Sequence, residues 1–227
     1  MEREKGLAII TIDGPAGAGK STVSRMLARR LNYLYLDTGA MYRAVALQVL
    51  KERIDPGDEK ALEGLCKGIA IAFAEDSRGQ RVFCQGEDVT EKIREPEVSW
   101  MASAVSMKRP VREAMVTLQR RMGAQGGLVA EGRDTGTVVF PRAQAKFFLV
   151  ADPRERALRR FRELKAKGKD AKPEEVEEDV RKRDVQDSSR DLAPLRPAED
   201  AHLIDSTGLT PEEVVDRMLE VLGRSFS

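Results

Sequence analysis

Apolar residues fall into two kinds of run along this chain of 227 residues. At 7–13, 33–37, 127–131, 145–150 and 202–205 the runs are short and nearly continuous, as in strands buried on both faces of a parallel sheet. Between them, 23–31 and 40–51 have helix-forming composition and periodicity. Asp152-Pro153-Arg154-Glu155 is a capping box with proline at the first helical position, and Thr210-Pro211-Glu212-Glu213 opens a terminal helix in the same way. Strands alternating with helices make an α/β fold, with a parallel sheet core flanked by helices. The pattern changes beyond residue 57. Short strands at 69–74, 80–85 and 88–90 are separated by the turns Asp76-Ser77-Arg78-Gly79 and Gly86-Glu87, and such close antiparallel strands do not fit inside a doubly wound parallel sheet. A small antiparallel inserted subdomain is therefore expected at 57–96. Helical periodicity returns over 96–122, with a break near Arg109-Pro110 because a residue before proline disfavours helix. The stretch 165–190 is densely charged and almost free of core residues, so it is either a surface hairpin or a helical lid. The core is then made of 1–56, 97–164 and 191–227. No repeat or low-complexity tract interrupts it.

The first strand runs straight into Gly14-Pro15-Ala16-Gly17-Ala18-Gly19-Lys20-Ser21-Thr22, which fits the phosphate-binding loop pattern G-x-x-x-x-G-K-[ST]. Its position gives the match mechanical meaning. Glycines between a strand and a helix N-terminus let the backbone wrap a phosphate with its N–H groups turned inward, and the helix dipole favours the anion. Lys20 is expected to reach the β- and γ-phosphates of a nucleoside triphosphate, with the Ser21 hydroxyl on Mg2+. A plain Gly/Ala-rich turn would not require Lys-Ser-Thr directly after the last glycine.

Charge and cysteines narrow the setting. Thirty-nine Lys+Arg against 38 Asp+Glu leave a formal net charge of +1, so no global field draws the chain to nucleic acid or membrane. Lys165-Ala166-Lys167-Gly168-Lys169 is expected to be a solvated edge rather than a nucleic-acid patch. Cys66 and Cys84 have neither C-x-x-C spacing nor the number for a disulfide framework. A cytoplasmic setting fits, and Met1-Glu2-Arg3-Glu4-Lys5 leads into an apolar run too short for a signal or membrane span. A monomer working on small-molecule substrates is expected.

Glu131-Gly132-Arg133-Asp134-Thr135-Gly136-Thr137-Val138-Val139-Phe140-Pro141 leaves a core strand at its carboxyl end, where open α/β sheets bind ligands. Together with the phosphate loop, Leu36-Asp37-Thr38-Gly39-Ala40-Met41-Tyr42-Arg43, Val111-Arg112-Glu113-Ala114 and Arg183-Asp184-Val185-Gln186-Asp187-Ser188-Ser189-Arg190, this segment makes the chain resemble the bacterial cytidylate (CMP) kinases over nearly its whole length. The resemblance implies a P-loop kinase fold and transfer of the γ-phosphoryl of ATP to CMP or dCMP. It implies that Thr38, Tyr42, Arg43, Arg133 and Arg190 surround the acceptor monophosphate. It further implies that Ser103, Arg112 and Asp134 read the base, and that Arg183 and Asp187 contact the sugar. Asp37 joins the substrate-binding set, with capping of the helices that follow as the lesser alternative for Asp37 and Asp134. The base-reading set is chemically apt: cytosine offers an amine donor beside N3 and O2 acceptors, which a carboxylate and Arg or Ser donors complement.

Lys20, Arg133, Arg183 and Arg190 are the expected catalytic cations. The acceptor phosphate is already largely dianionic near neutral pH, so the reaction needs positioning and charge neutralisation rather than a general base. Kinases of the same fold for UMP, AMP or shikimate are the nearest alternatives, and a nucleotide-binding regulatory switch is the alternative of another class. Lys167-Gly168-Lys169-Asp170 does not supply the Asn-Lys-x-Asp of guanine-reading switches. The two Asp-Thr-Gly tripeptides at 37–39 and 134–136 suggest an aspartic protease only on paper, because both follow strands of an α/β pattern. His202 is expected to be structural.

Overall fold

The computed structural model describes residues 7–77, 79–166 and 168–225. The expectation for the N-terminal pentapeptide, and those for Arg78 and Lys167, lie outside these residues. Backbone proximity divides the chain into two compact units, residues 1–36 with 123–227 and residues 37–122.

The first unit is built on a five-stranded parallel sheet, in the order β2-β6-β1-β7-β8. The strands are β1 (Ile9–Asp13), β2 (Leu34–Asp37), β6 (Leu128–Gly132), β7 (Ala145–Val150) and β8 (His202–Asp205). In register, Asp13 stands opposite Gly132 on one side and Phe148 on the other, so β1 and β6 end level while β7 runs two residues further. Ile10, Ile12, Val129, Phe147 and Leu149 fill the core between the sheet and helices α1 (Lys20–Leu31) and α8 (Pro211–Ser225). Of the two capping boxes the second forms in full and the first in half, because the Asp152 N–H donates to the Thr207 hydroxyl at 2.9 Å and not to Glu155. The Asp152 carboxylate accepts from the backbone N–H of Arg154 and Glu155 ahead of α6 (Pro153–Ala166), and Thr210 and Glu213 exchange side-chain-to-backbone bonds ahead of α8. His202 packs its ring on Phe147, with centroids 5.9 Å apart.

In place of a hairpin, the charged stretch 165–190 contains a regular helix, α7 (Pro173–Ser188), which lies against α6. Two of its three valines, Val176 and Val180, are buried one turn apart, whereas Val185 is exposed, and so the polar pattern obscured the helix.

The second unit holds helices α2 (Thr38–Lys51), α3 (Glu59–Lys67), α4 (Pro96–Val105) and α5 (Arg109–Met122) around an antiparallel sheet of β3 (Ile71–Asp76), β4 (Gly79–Cys84) and β5 (Glu87–Asp88). The expected insertion at 57–96 lies inside it. Helix α2 is buried almost all round from Ala44 to Val49 and packs against α4. Helix α3 was not legible beforehand, because only Leu62 and Cys66 mark its inner face. The break in 96–122 comes just before Arg109 and not at Arg109-Pro110. Pro110 instead sits in the first turn of α5, where a missing N–H costs nothing.

Candidate active site

The phosphate loop turns from β1 into α1 through three glycines in conformations closed to other residues. Gly14 has φ 147°, and a Cβ there would stand 2.1 Å from the Leu149 carbonyl oxygen of the neighbouring strand. Gly17 has φ 76°, and its Cβ would meet the Arg156 carbonyl oxygen at 2.8 Å. Gly19 begins α1 without a side-chain cap, and no acid occupies the first turn, so the helix presents its N–H groups to an anion. Lys20 is buried and donates from Nζ to the Pro15 carbonyl at 2.7 Å, folding back along the loop. Ser21 and Thr22 are exposed at the helix start.

Behind the loop, the Asp13 carboxylate accepts from the Thr135 N–H at 2.9 Å, the Thr135 hydroxyl at 2.7 Å and the Gly136 N–H at 2.7 Å. It thereby ties the end of β1 to the turn after β6 that carries Arg133 and Asp134. Burial pushes the Asp13 carboxyl above its ordinary range, outweighing these three bonds. The turn continues as a π-helical segment, Thr135–Val139. Such single π-turns are frequent at functional sites. Asp134 is buried in front of this segment and does not cap it by its side chain.

Lys20, Arg133, Arg183, Asp187 and Arg190 form one charged cluster. Arg133 Nε donates to Asp187 Oδ2 at 2.7 Å, and Arg190 Nη2 lies 3.3 Å from Asp187 Oδ1. Burial, and after it the repulsion of Arg133 and Arg183, brings the Lys20 ammonium down to about 7 against the attraction of Glu131 and Asp187. Asp187 is held below its ordinary value: burial opposes its charge, but Arg133, Arg190 and Arg183 together outweigh burial. Burial likewise works against the Arg133 guanidinium, whose pKa is nonetheless raised by Asp187, Glu131 and Asp13. Buried Lys20 and three half-buried arginines thus gather beside a glycine loop, a charge arrangement chemically suited to a multiply charged anion.

The remaining expected residues lie in the second unit. Asp37 caps α2 by accepting from the Ala40 N–H at 2.8 Å, and its other oxygen holds Arg43 Nη2 at 3.1 Å. The capping reading of Asp37 is thus realised together with an ion pair that orients Arg43. Thr38 is buried at the first position of α2, and Tyr42 is half-buried one turn on. Ser103 and Arg112 are drawn together at the end of α4: the Ser106 hydroxyl donates to the Ser103 carbonyl at 2.8 Å, and buried Arg112 donates to the Ser106 carbonyl at 3.4 Å.

Sequence reasoning passed over several supporting residues. Asp13 was read only as the end of a strand. Tyr35, whose hydroxyl donates to Glu131, and Ser206, whose hydroxyl lies 3.1 Å from both the Ala18 and Val150 carbonyls, carry no motif. Arg159 reaches Ser206 through two nitrogens, at 3.0 and 2.8 Å. Arg156 and Asp184 form a forked pair beside the loop.

A model of the cytidylate kinase family matches residues 10–224. A cytidylate kinase of Citrifermentans bemidjiense is 51% identical over 216 residues, covering 95% of this chain and 92% of its own length. One from Enterococcus faecalis is 49% identical over 217 residues, with 96% of each chain covered. Among solved structures, a gluconokinase from Sinorhizobium meliloti 1021 superposes with a TM-score of 0.50 at 15% identity, over 98% of this chain and 94% of its own. That likeness bears on the fold alone, which is the P-loop kinase fold.

Proposed function

The chain belongs to the cytidylate kinase family, and from that premise we propose that it transfers the γ-phosphoryl group of ATP to CMP or dCMP, yielding ADP and CDP or dCDP in pyrimidine nucleotide metabolism. The observation that carries the reading is the gathering of Lys20, Arg133 and Arg183 about the phosphate loop, close enough that the arginines depress the lysine. In the proposed reaction, the loop N–H groups and Lys20 hold the β- and γ-phosphates. Thr38, Tyr42, Arg43, Arg133 and Arg190 hold the acceptor phosphate. Asp134 accepts from the cytosine amine while Ser103 and Arg112 serve its acceptors, and Arg183 and Asp187 meet the sugar. The acceptor oxygen attacks in line, and the arginines neutralise charge that spreads over the transferring group.

Mg2+ fits this site. Ser21 presents an exposed hydroxyl at the helix start, a hard oxygen donor of the kind that takes the ion together with phosphate oxygens and waters. Asp13 already accepts three hydrogen bonds from the Thr135 turn, which leaves the exposed Ser21 hydroxyl as the freer donor. Held at Ser21, the ion would supply positive charge where negative charge develops on the transferring group.

No helix among the described residues is long and apolar enough to cross a membrane. The net charge of +1 provides no long-range attraction to nucleic acid, which supports small-molecule substrates, and the family reading is the basis for proposing a cytoplasmic monomer.

ADP release measured with CMP, dCMP, UMP, AMP and shikimate as acceptors tests the proposal. CMP and dCMP should be used best, and UMP about 10²-fold less well or worse, because its carbonyl faces Asp134. Asp134→Ala should narrow the CMP/UMP ratio mainly by harming CMP. Equal kcat/KM for UMP and CMP overturns the base assignment, and no ADP release with any acceptor overturns the kinase reading.

A further inference from the structure

Arg156 lies on α6, outside every set of residues assigned to substrate, yet it is among the most buried charged groups of the protein at 4% exposure. Its guanidinium is nearly saturated. Nη1 and Nη2 donate to the two oxygens of Asp184 at 3.0 and 2.6 Å, Nη1 also donates to the Ala16 carbonyl at 3.1 Å, and Nε donates to the Ala151 carbonyl at 3.1 Å. These partners come from three places: the phosphate loop, the end of β7 and helix α7. Asp184 adjoins Arg183 and stands one turn before Asp187, the two α7 residues within the charged cluster.

We propose that Arg156 is a positioning residue for phosphoryl transfer, setting the phosphate loop and the Arg183 face of α7 in one fixed relation. The inference rests on the kinase reading above. Its physical content is twofold. By holding the Ala16 carbonyl, Arg156 orients the whole peptide plane, because in a trans peptide the Gly17 N–H points opposite to that carbonyl. The N–H is thereby turned away from Arg156, as a phosphate cradle requires. By its fork onto Asp184, the same guanidinium fixes the rotation of α7, and with it the direction of Arg183. Only a planar fork can serve the carbonyl and both carboxylate oxygens together; an ammonium cannot reproduce that geometry. The loop is shaped to admit it, since α6 approaches so closely at Arg156 that Gly17 has no room for a Cβ.

The test uses Arg156→Lys, Asp184→Asn and the double variant in the full chain. The readouts are kcat, KM for both nucleotides, melting temperature, ATP affinity measured without acceptor, and amide exchange of the loop. Asp184 is partly exposed, so its amide variant should fold even if the lysine variant is weakened. Each single change should lower kcat about 10- to 100-fold with KM for CMP little altered, as for a small misplacement of catalytic groups. The amides of Gly17 and Gly19 should exchange faster, and the double variant should be no slower than the worse single, since both changes break one unit. Asp184→Glu should restore part of kcat. Wild-type kcat in Asp184→Asn, or kcat losses that multiply in the double variant, would overturn the proposal. Failure of the kinase reading is separable: it would appear in the unaltered protein as absent transfer, while ATP affinity and loop exchange still report on Arg156.

Discussion

The phosphate loop and α7 both carry cations assigned to the reaction, but they are held by different means. The loop is fixed through its backbone. Gly14 and Gly17 fit against carbonyl oxygens with no space for a side chain, and carbonyls from Pro15 to Ala18 accept from Lys20, Arg156 and Ser206. Helix α7 is held mainly by charge. It buries only Val176 and Val180 among its apolar residues, and its outer pairs, such as Arg181 with Glu178 and Lys172 with Glu175, are solvent-exposed and worth little. What registers it is the pairing of Asp184 with Arg156 and of Asp187 with Arg133 and Arg190. The donor side of the site is therefore built into the fold. The α7 side depends on a balance of charges that polyanionic substrates would alter, and that is the physical case for a mobile lid.

This contrast can be broken most sharply at Lys20. If backbone packing alone shapes the loop, Lys20→Ala should cut kcat by about 10³-fold or more while the melting temperature and loop exchange stay put. A collapsed loop in that variant would show that the lysine, and not the packing, maintains the cradle. On the α7 side, Arg190→Ala should lower kcat and kcat/KM for CMP together by roughly 10²-fold, as for a contact strongest in the transition state. Unlike the lysine change, it should also loosen α7, because Asp187 loses one of its two ion-pair partners. Full activity in Arg190→Ala would return 165–190 to a surface role.

A smaller effect concerns pH. Burial first, then Arg133 and Arg183, brings Lys20 from an ordinary 10.5 to about 7, so the free protein loses this charge as pH rises through 7. The kcat/KM for ATP should fall above about pH 7, approaching roughly ten-fold per unit, whereas the fall in kcat should come at higher pH because bound phosphates favour the ammonium. For stability the sign is opposite: between about 7 and 10.5 the unfolded chain binds more protons at this lysine, so its contribution rises with pH. Arg133→Gln should move the kcat/KM limb upward. An unmoved limb would mean that Arg133 has no part in it and that burial and Arg183 set it.

Much of the fold could be read from the sequence because its cues are local. The β1 run 9–13, buried at nearly every position, the glycines of the loop and the two capping boxes each specify their structure within a few residues. The site cations were legible through the motifs around them. The supports were not. On α6, Arg156 has the same charge and spacing as Arg154, Arg159, Arg160 and Arg162, and only its tertiary surroundings distinguish it. Asp13 looks like an ordinary strand end until the Thr135 turn closes on it. For 165–190 the sequence left a surface hairpin and a helical lid both open, because two buried valines give too weak a period; the placement of α7 comes from ion pairs with residues distant in sequence.

Amide hydrogen exchange of the whole chain, alone and with a non-transferring ATP analogue plus CMP, tests most directly the claim of a fixed donor loop facing a substrate-ordered helix. The account predicts that within residues 14–20 only the N–H groups that meet phosphate gain protection, the other loop amides exchanging alike in both states, while α7 and the flanking residues to Arg190 exchange readily alone and slow along their whole length with both nucleotides. Equal protection of α7 in the two states, or a loop that becomes ordered only with nucleotide, would contradict it.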